Sequence, residues 1–231
     1  KVIDTGFGEY IFVEETKYKV LTGVARLTKD GQSVSGDTFS MINLPSGELL
    51  MALSDGMGSG TSAFDDSKNV IELLEQMSEA GFSQTSAIRL INSLYVSDQE
   101  FENYATLDIS LINLYKGECS FLKNGAVGTY VLNQGKMYCI EGQSLPMGVV
   151  SDAEPYIGKM SLYPGDYVIM MTDGVADMFS QERYNLEKFI KQIEIVNPGD
   201  MAQAIVDEAV SRNKGTVSDD MSVIVAGVWE N

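Results

Sequence analysis

The chain has 231 residues, 44% of them hydrophobic, which is enough for a sizeable core without crosslinks. Lys and Arg number 16 against 33 Asp and Glu, a formal net charge of -17, so nucleic acid and anionic membrane surfaces are poor partners, and handling phosphate would require bound cations. There is no histidine, which excludes imidazole bases, phosphohistidine chemistry, Ser-His-Asp triads and nearly every catalytic zinc site.

In chain order, strand-like runs come first: Tyr18 to Ala25, Asp37 to Asn43 and Leu49 to Leu53, separated by turn clusters at Lys29-Asp30-Gly31 and Pro45-Ser46-Gly47. The period then changes. Val70, Ile71, Leu73, Leu74 and Met77 repeat at helical spacing, Gly81 closes the run, and Ala87, Ile88, Ile91, Leu94 and Tyr95 repeat again, which predicts two amphipathic helices within 62–97. From Ala105 to Val149 short strands return as an expected meander, with Leu107, Ile109 and Leu111 on one face. Val168 to Met171 is a short apolar run, Leu186 to Asn213 holds two helical patterns broken at Asn197-Pro198-Gly199, and Val223 to Val228 ends the chain as a strand.

Strands, helix pair, strands, helix pair, strand is an α+β order in one domain, and it packs as two antiparallel sheets with helices on their outer faces. Cys119 and Cys139 lie in apolar runs without CxxC spacing and read as reduced small hydrophobes. No run approaches the roughly 18 apolar residues of a membrane span. The start at Lys1 lacks a signal-peptide pattern, and the missing initiator Met predicts a catalytic fragment of a longer protein.

Several aspartates stand where an apolar strand stops. Asp55 ends Leu49-Leu50-Met51-Ala52-Leu53-Ser54 and precedes Gly56-Met57-Gly58-Ser59-Gly60; Asp173 ends Val168 to Thr172 and precedes Gly174; Asp219 and Asp220 precede the final strand; Asp37 opens an earlier one. Taken singly, each Asp-Gly reads as a surface turn, and the segment after Asp55 as a loop whose helix is capped by Ser59, Thr61 or Ser62. A nucleotide-binding glycine loop fails, because no GKS or GKT follows. The shared strand-stop context favours a site in which hard oxygen ligands, without histidine or thiolate, select magnesium or manganese.

Ser54-Asp55-Gly56-Met57-Gly58-Ser59-Gly60, Met171-Thr172-Asp173-Gly174-Val175 and Ser218-Asp219-Asp220-Met221-Ser222-Val223 resemble, in order and separation, the metal-binding motifs of the PPM family of metal-dependent protein phosphatases. Gly36-Asp37-Thr38-Phe39, Ala105-Thr106-Leu107-Asp108 and Leu145-Pro146-Met147-Gly148-Val149 extend the match over nearly the whole chain. The wording Asp-Gly-Met-Gly-Ser-Gly, and the lack of histidine in Asn124-Gly125-Ala126-Val127-Gly128, favour the sporulation branch over the stress-response branch.

The resemblance implies an α-β-β-α sandwich and two divalent cations, manganese or magnesium. Asp55 would bridge them, the Gly56 carbonyl would contact one, and Asp37 would support that ion through water. Asp173 and Asp219 would complete the other site, with Asp220 beside them where many relatives have Asn. Asp37, Asp55, Asp173 and Asp219 form the implied catalytic set, and water activated by the ions attacks phosphorus without a phosphoenzyme. Unlike the animal members, the chain has no clear phosphate-holding Arg near the first motif; Arg26 is the candidate, and it reads rather as an exposed strand residue. The implied substrate is a phosphoserine on an anti-sigma factor antagonist, so that hydrolysis activates a sporulation sigma factor. The resemblance is compatible with a homodimer, which no heptad pattern supports, and implies a cytoplasmic domain with no nucleic-acid or membrane contact of its own, in a parent that has room for a membrane anchor. The alternatives are a PPM phosphatase of another bacterial partner-switching pathway and a catalytically silent partner-binding domain. The helices within 62–97 start directly after Gly56, so they either only cover a sheet or also switch metal occupancy on dimerisation or partner binding.

Overall fold

Residues Glu48–Asp55 bury their side chains on both faces, so that strand must lie in a sheet covered on both sides. The computed structural model, which describes residues 2–4, 6, 8–12, 14–58, 60–97, 104–151, 153–179, 183–193 and 196–231, supplies both covers. In chain order the elements are β1 (Val2–Asp4), β2 (Tyr10–Phe12), β3 (Tyr18–Leu27), β4 (Asp37–Leu44), β5 (Glu48–Asp55), α1 (Thr61–Glu79) and α2 (Gln84–Ser97). They continue with β6 (Leu107–Asn113), β7 (Glu118–Asn124), β8 (Thr129–Asn133), β9 (Lys136–Ile140), β10 (Tyr156–Ser161) and β11 (Tyr167–Met171). The chain closes with α3 (Asp173–Ala176), a 3-10 turn (Asp177–Phe179), α4 (Arg183–Gln192), α5 (Pro198–Arg212) and β12 (Met221–Glu230).

Two five-stranded antiparallel sheets run in the orders β10-β7-β6-β5-β4 and β3-β12-β11-β8-β9, beside a small β1-β2 ribbon. Three apolar clusters separate four layers. Val70, Leu74 and Ile88 of the first helix pair pack on Leu50, Ala52 and Ile109 of the first sheet. Met51, Leu53 and Phe121 meet Val168, Met170 and Ile224 between the sheets. Leu186 and Ile205 of the second helix pair cover Ile169, Met171, Val223 and Val225. The α-β-β-α layering expected from the sequence is the one observed.

Three local readings change. The strands between Ala105 and Val149 are not one meander: β6 and β7 belong to the first sheet, and β8 and β9 to the second. The chain crosses after Gly125, whose φ of 66° and close approach to Pro146 leave no space for a side chain. Strand β10 went unread because it is an edge strand with mixed exposure and no apolar alternation. The Asp173-Gly174 step is not a plain turn but the first turn of α3. At the expected break before α5, the Asn197 side chain accepts from Gly199 N at 2.8 Å and Asp200 N at 3.3 Å, with Pro198 as the first helical residue. Among the described residues, no helix is long and apolar enough to cross a membrane.

Candidate metal centre

Period-two alternation determines what stands at the head of the inter-sheet core. On β5, Leu49, Met51 and Leu53 face the second sheet, so the next side chain on that face is Asp55. On β4, Met41 and Phe39 lead to Asp37, and the ladder sets Asp37 directly opposite Asp55. From the second sheet, Val168 and Met170 of β11 lead to Thr172 just past its end, and Ile224 leads back to Ser222 on β12 and to Asp220 beyond it. An apolar core therefore ends in a rim of carboxylates and hydroxyls contributed by both sheets.

Hydrogen bonds hold this rim. Thr172 Oγ1 donates to Asp37 Oδ2 at 3.0 Å and accepts from Ser222 N at 3.0 Å. Asp220 clasps the segment before β4: its Oδ1 accepts from Lys29 N at 2.8 Å and its Oδ2 from Gly36 N at 2.7 Å. Asp55 is tied to the strand leading into β6, with Asp55 N donating to Thr106 Oγ1 at 3.0 Å and Thr106 N to Asp55 O at 2.9 Å. Asp173 stands exposed at the start of α3, and Asp219 Oδ1 accepts from Asp220 N at 3.0 Å.

Two glycines permit the close approach. A Cβ on Gly56 would lie 1.9 Å from the Ala63 carbonyl oxygen, so the first turns of α1 rest on bare backbone. A Cβ on Gly174 would lie 2.2 Å from the Asp220 carbonyl oxygen, where the Asp219-Asp220 segment crosses α3. The cap of α1 differs from expectation: Gly60, with φ 77°, takes the N-cap without a side-chain hydrogen bond, Thr61 is already helical, and Ser59 lies outside the described residues.

Crowding shows in the acidities. Burial, then the Asp220 and Asp173 charges, push the Asp37 carboxyl up to about 7, partly offset by the nearby Ser222 and Thr172 hydroxyls. Burial followed by the charges of Asp37, Asp173, Asp219 and Asp220 pushes Asp55 up to about 8. Asp173 is also raised, by loss of solvent and by Asp219. Asp37 Oδ1 and Ser222 Oγ are buried, and although the Ser222 hydroxyl is near enough to favour the Asp37 carboxylate, neither atom has a partner at full hydrogen-bond geometry. The carboxylates frame a cleft of about 210 Å3 lined by Asp55, Gly56, Tyr104, Thr106, Asp173 and Asp219. Among the described residues no three acidic side chains stand close enough together to hold an ion as they are placed, and Asp37, Asp219 and Asp220 each accept a hydrogen bond from a neighbouring group. Mutual repulsion, an orphaned carboxylate oxygen and an all-oxygen donor set nevertheless fit divalent magnesium or manganese, which would take the place of the retained protons.

Residues 45–229 match the family model for Stage II sporulation protein E (SpoIIE). The chain belongs to the SpoIIE family. Stage II sporulation protein E of Bacillus subtilis (strain 168) is 32% identical over 229 residues, 98% of this chain and 28% of that protein. Its counterpart in Priestia megaterium is 35% identical over 217 residues, 93% of this chain and 37% of that protein. The chain thus spans well under half the length of the curated relatives it matches. The PP2C phosphatase domain of Bacillus subtilis SpoIIE, solved with a fragment of its regulatory domain, matches with a TM-score of 0.86 at 31% identity, over 94% of this chain and 64% of that one. This SpoIIE-family chain therefore has the PPM phosphatase fold that its motifs resembled.

All six expected metal-site residues, Asp37, Asp55, Gly56, Asp173, Asp219 and Asp220, come to this one end of the sandwich. Arg26 does not point at them; it is exposed, reaches the Asp37 backbone carbonyl at 3.5 Å and lies over the Phe39 ring. The cation that does reach the cluster is Lys29, whose Nζ is 3.6 Å from Asp219 Oδ1. Lys29 sits in a turn cluster 190 residues before Asp219, and the two meet because the β3-β12 ladder pairs Leu27 with Met221, while the Asp220 clasp and the Asp30-Val217 hydrogen bonds hold the segments just beyond it.

Proposed function

We propose that this SpoIIE-family domain is a metal-dependent protein serine phosphatase that hydrolyses phosphoserine on an anti-sigma factor antagonist, working in the cytoplasm with two divalent cations. The observation that carries the reading is the pairing of Asp37 with Asp55 on one rung at the mouth of the inter-sheet core, where both carboxyls hold protons they would lose to an ion. Asp55 would bridge the ions, the Gly56 carbonyl and Asp37 would serve one of them, and Asp173 with Asp219 the other. Asp220 would act mainly through the clasp that carries Lys29 and Gly36 to the site.

When bound, the ions supply Lewis acidity that lowers the pKa of a water and offsets phosphoryl charge. The chain supplies the remainder. Thr172 and Ser222 N orient Asp37 from the second sheet, Thr106 fixes the Asp55 backbone, and α1 excludes solvent behind Gly56. Because Ala63 presses on Gly56, any displacement of α1 displaces that carbonyl, which gives a dimer or partner seated on the α1-α2 pair a mechanical route to the site.

The test is hydrolysis of an aryl phosphate, then of candidate phosphoserine proteins, with manganese, with excess EDTA and with Asp55→Asn. Turnover that survives EDTA or Asp55→Asn would sink the reading. Activity restricted to a phosphoprotein of a different partner-switching pathway would replace the substrate and keep the chemistry.

A further inference from the structure

Lys123 is completely buried, in a chain with only 16 basic residues. Its ammonium donates to Asp108 Oδ2 at 2.6 Å, to the Val127 carbonyl at 2.6 Å and to Thr129 Oγ1 at 2.8 Å, which uses every proton it has. Thr129 Oγ1 donates in turn to Asp108 Oδ2 at 2.6 Å. Asp108 and Lys123 are rung partners in the first sheet, and Thr129 opens β8 in the second, so this buried ion pair staples the crossing between the sheets. The staple accounts for Oδ2 only. Asp108 Oδ1 is equally cut off from solvent and has no hydrogen-bond partner, and a buried acceptor left bare is costly, the more so when charged.

Asp108 lines a small pocket of about 30 Å3 together with Asp55, Thr106, Thr172 and Asp173. Leu53, Val127 and Met171 form its apolar side, so the polar partners for any occupant are the Asp and Thr groups, and such a volume holds roughly one or two water molecules. A cation there would stand against the Lys123 ammonium, so water is the occupant that the charges favour. Asp108 is the rung partner of Leu53, one same-face step short of Asp55, and such diagonal neighbours lie about 7–8 Å apart at the backbone, a gap that one water can bridge.

We infer that Asp108 is a positioning residue of the metal centre. A buried water donates one hydrogen to Asp108 Oδ1 and the other to the inner oxygen of Asp55, which turns the outer oxygen of Asp55 into the cleft. Lys123 and Thr129 fix Asp108 so that it can serve as the anchor. The inference rests on the phosphatase reading for its consequence, since groups that orient metal ligands typically change metal affinity about 10- to 100-fold.

Two measurements test it. A high-resolution crystal structure of the protein should show ordered water within hydrogen-bond distance of Asp108 Oδ1 and of an Asp55 oxygen; a dry pocket overturns the inference. Calorimetric titration with manganese, without substrate, should show about 10- to 100-fold weaker binding in the paired variant Asp108→Leu/Lys123→Met, which replaces the ion pair by apolar groups of similar volume, while its melting temperature holds or rises. Undiminished manganese affinity in that folded variant overturns the inference. If the pair cannot fold, Asp108→Asn gives the same comparison, with the amide presenting a donor where the water needs an acceptor. Wild-type protein that holds the water and binds no manganese would refute the phosphatase reading while upholding the water site.

Discussion

Asp37 and Asp55 face each other on one rung of the β4-β5 ladder, two carboxyls where a stable sheet places an attractive pair. Both keep their protons far above the ordinary value of 3.8, to about 7 and about 8 respectively. The folded, metal-free chain therefore binds more protons than the unfolded chain between about pH 4 and pH 8. Its stability is fullest below that window and falls as pH rises through it, by about 1.4 kcal/mol per pH unit for each proton held. The metal-free melting temperature should drop between about pH 5 and pH 8, and the rise produced by manganese should grow over the same interval. A metal-free curve that stays flat there would contradict the acidities.

Asp37→Asn removes the Asp37 charge from the cluster while retaining an oxygen for Thr172. At pH 8 the metal-free variant should melt higher than the wild type, by about 2–4 °C per kcal/mol recovered in a chain of this length. Its phosphatase activity should fall at least about tenfold, the usual exchange of stability against function at a charged site. Differential scanning calorimetry and aryl phosphate turnover on one preparation check both halves, and a variant that is neither more stable nor less active would show that Asp37 has no part in the site.

Gly56→Ala should fail for a steric reason that no flexible side chain can absorb. The added carbon would sit 1.9 Å from the Ala63 carbonyl oxygen, so strand or helix must shift. A loss of about 1–3 kcal/mol in urea unfolding is expected, together with weaker manganese binding. Ala63→Gly should not rescue it, because the obstacle is backbone and not the Ala63 methyl. Rescue by Ala63→Gly would show that the helix contact has been misplaced.

Legibility followed the range of each signal. Asp37, Asp55 and Asp173 could be read because an acid at the end of an apolar strand is a local pattern. The neighbours that condition them could not. Asp108 lies inside the alternation Leu107, Ile109, Leu111 and looked like part of a strand motif; its partner Lys123 comes 15 residues later on another strand, and only register joins them. The division of β6-β7 from β8-β9 was hidden for a similar reason, since hairpin turns look alike whether the next strand stays in the sheet or leaves it. Strand β10 carries no apolar stripe, because as an edge it has little to bury.

Lys29 gives the last prediction. Its ammonium is 3.6 Å from Asp219 Oδ1, and both side chains are partly exposed, so the contact contributes about 0.2–1 kcal/mol at most. An ion entering beside Asp219 must displace or repel that ammonium. Lys29→Met keeps the side-chain length and the Lys29 N to Asp220 clasp, and it removes only the charge. Manganese should then bind up to about fivefold more tightly at low ionic strength, with the gain fading as added salt shortens the screening length toward about 3 Å near 1 M. Turnover of a phosphoprotein should move the other way if the released ammonium meets the phosphoryl group, appearing as a higher KM with little change in kcat. Tighter metal binding with an unchanged KM would assign Lys29 to the ion alone, and unchanged metal binding at low salt would remove it from the site altogether.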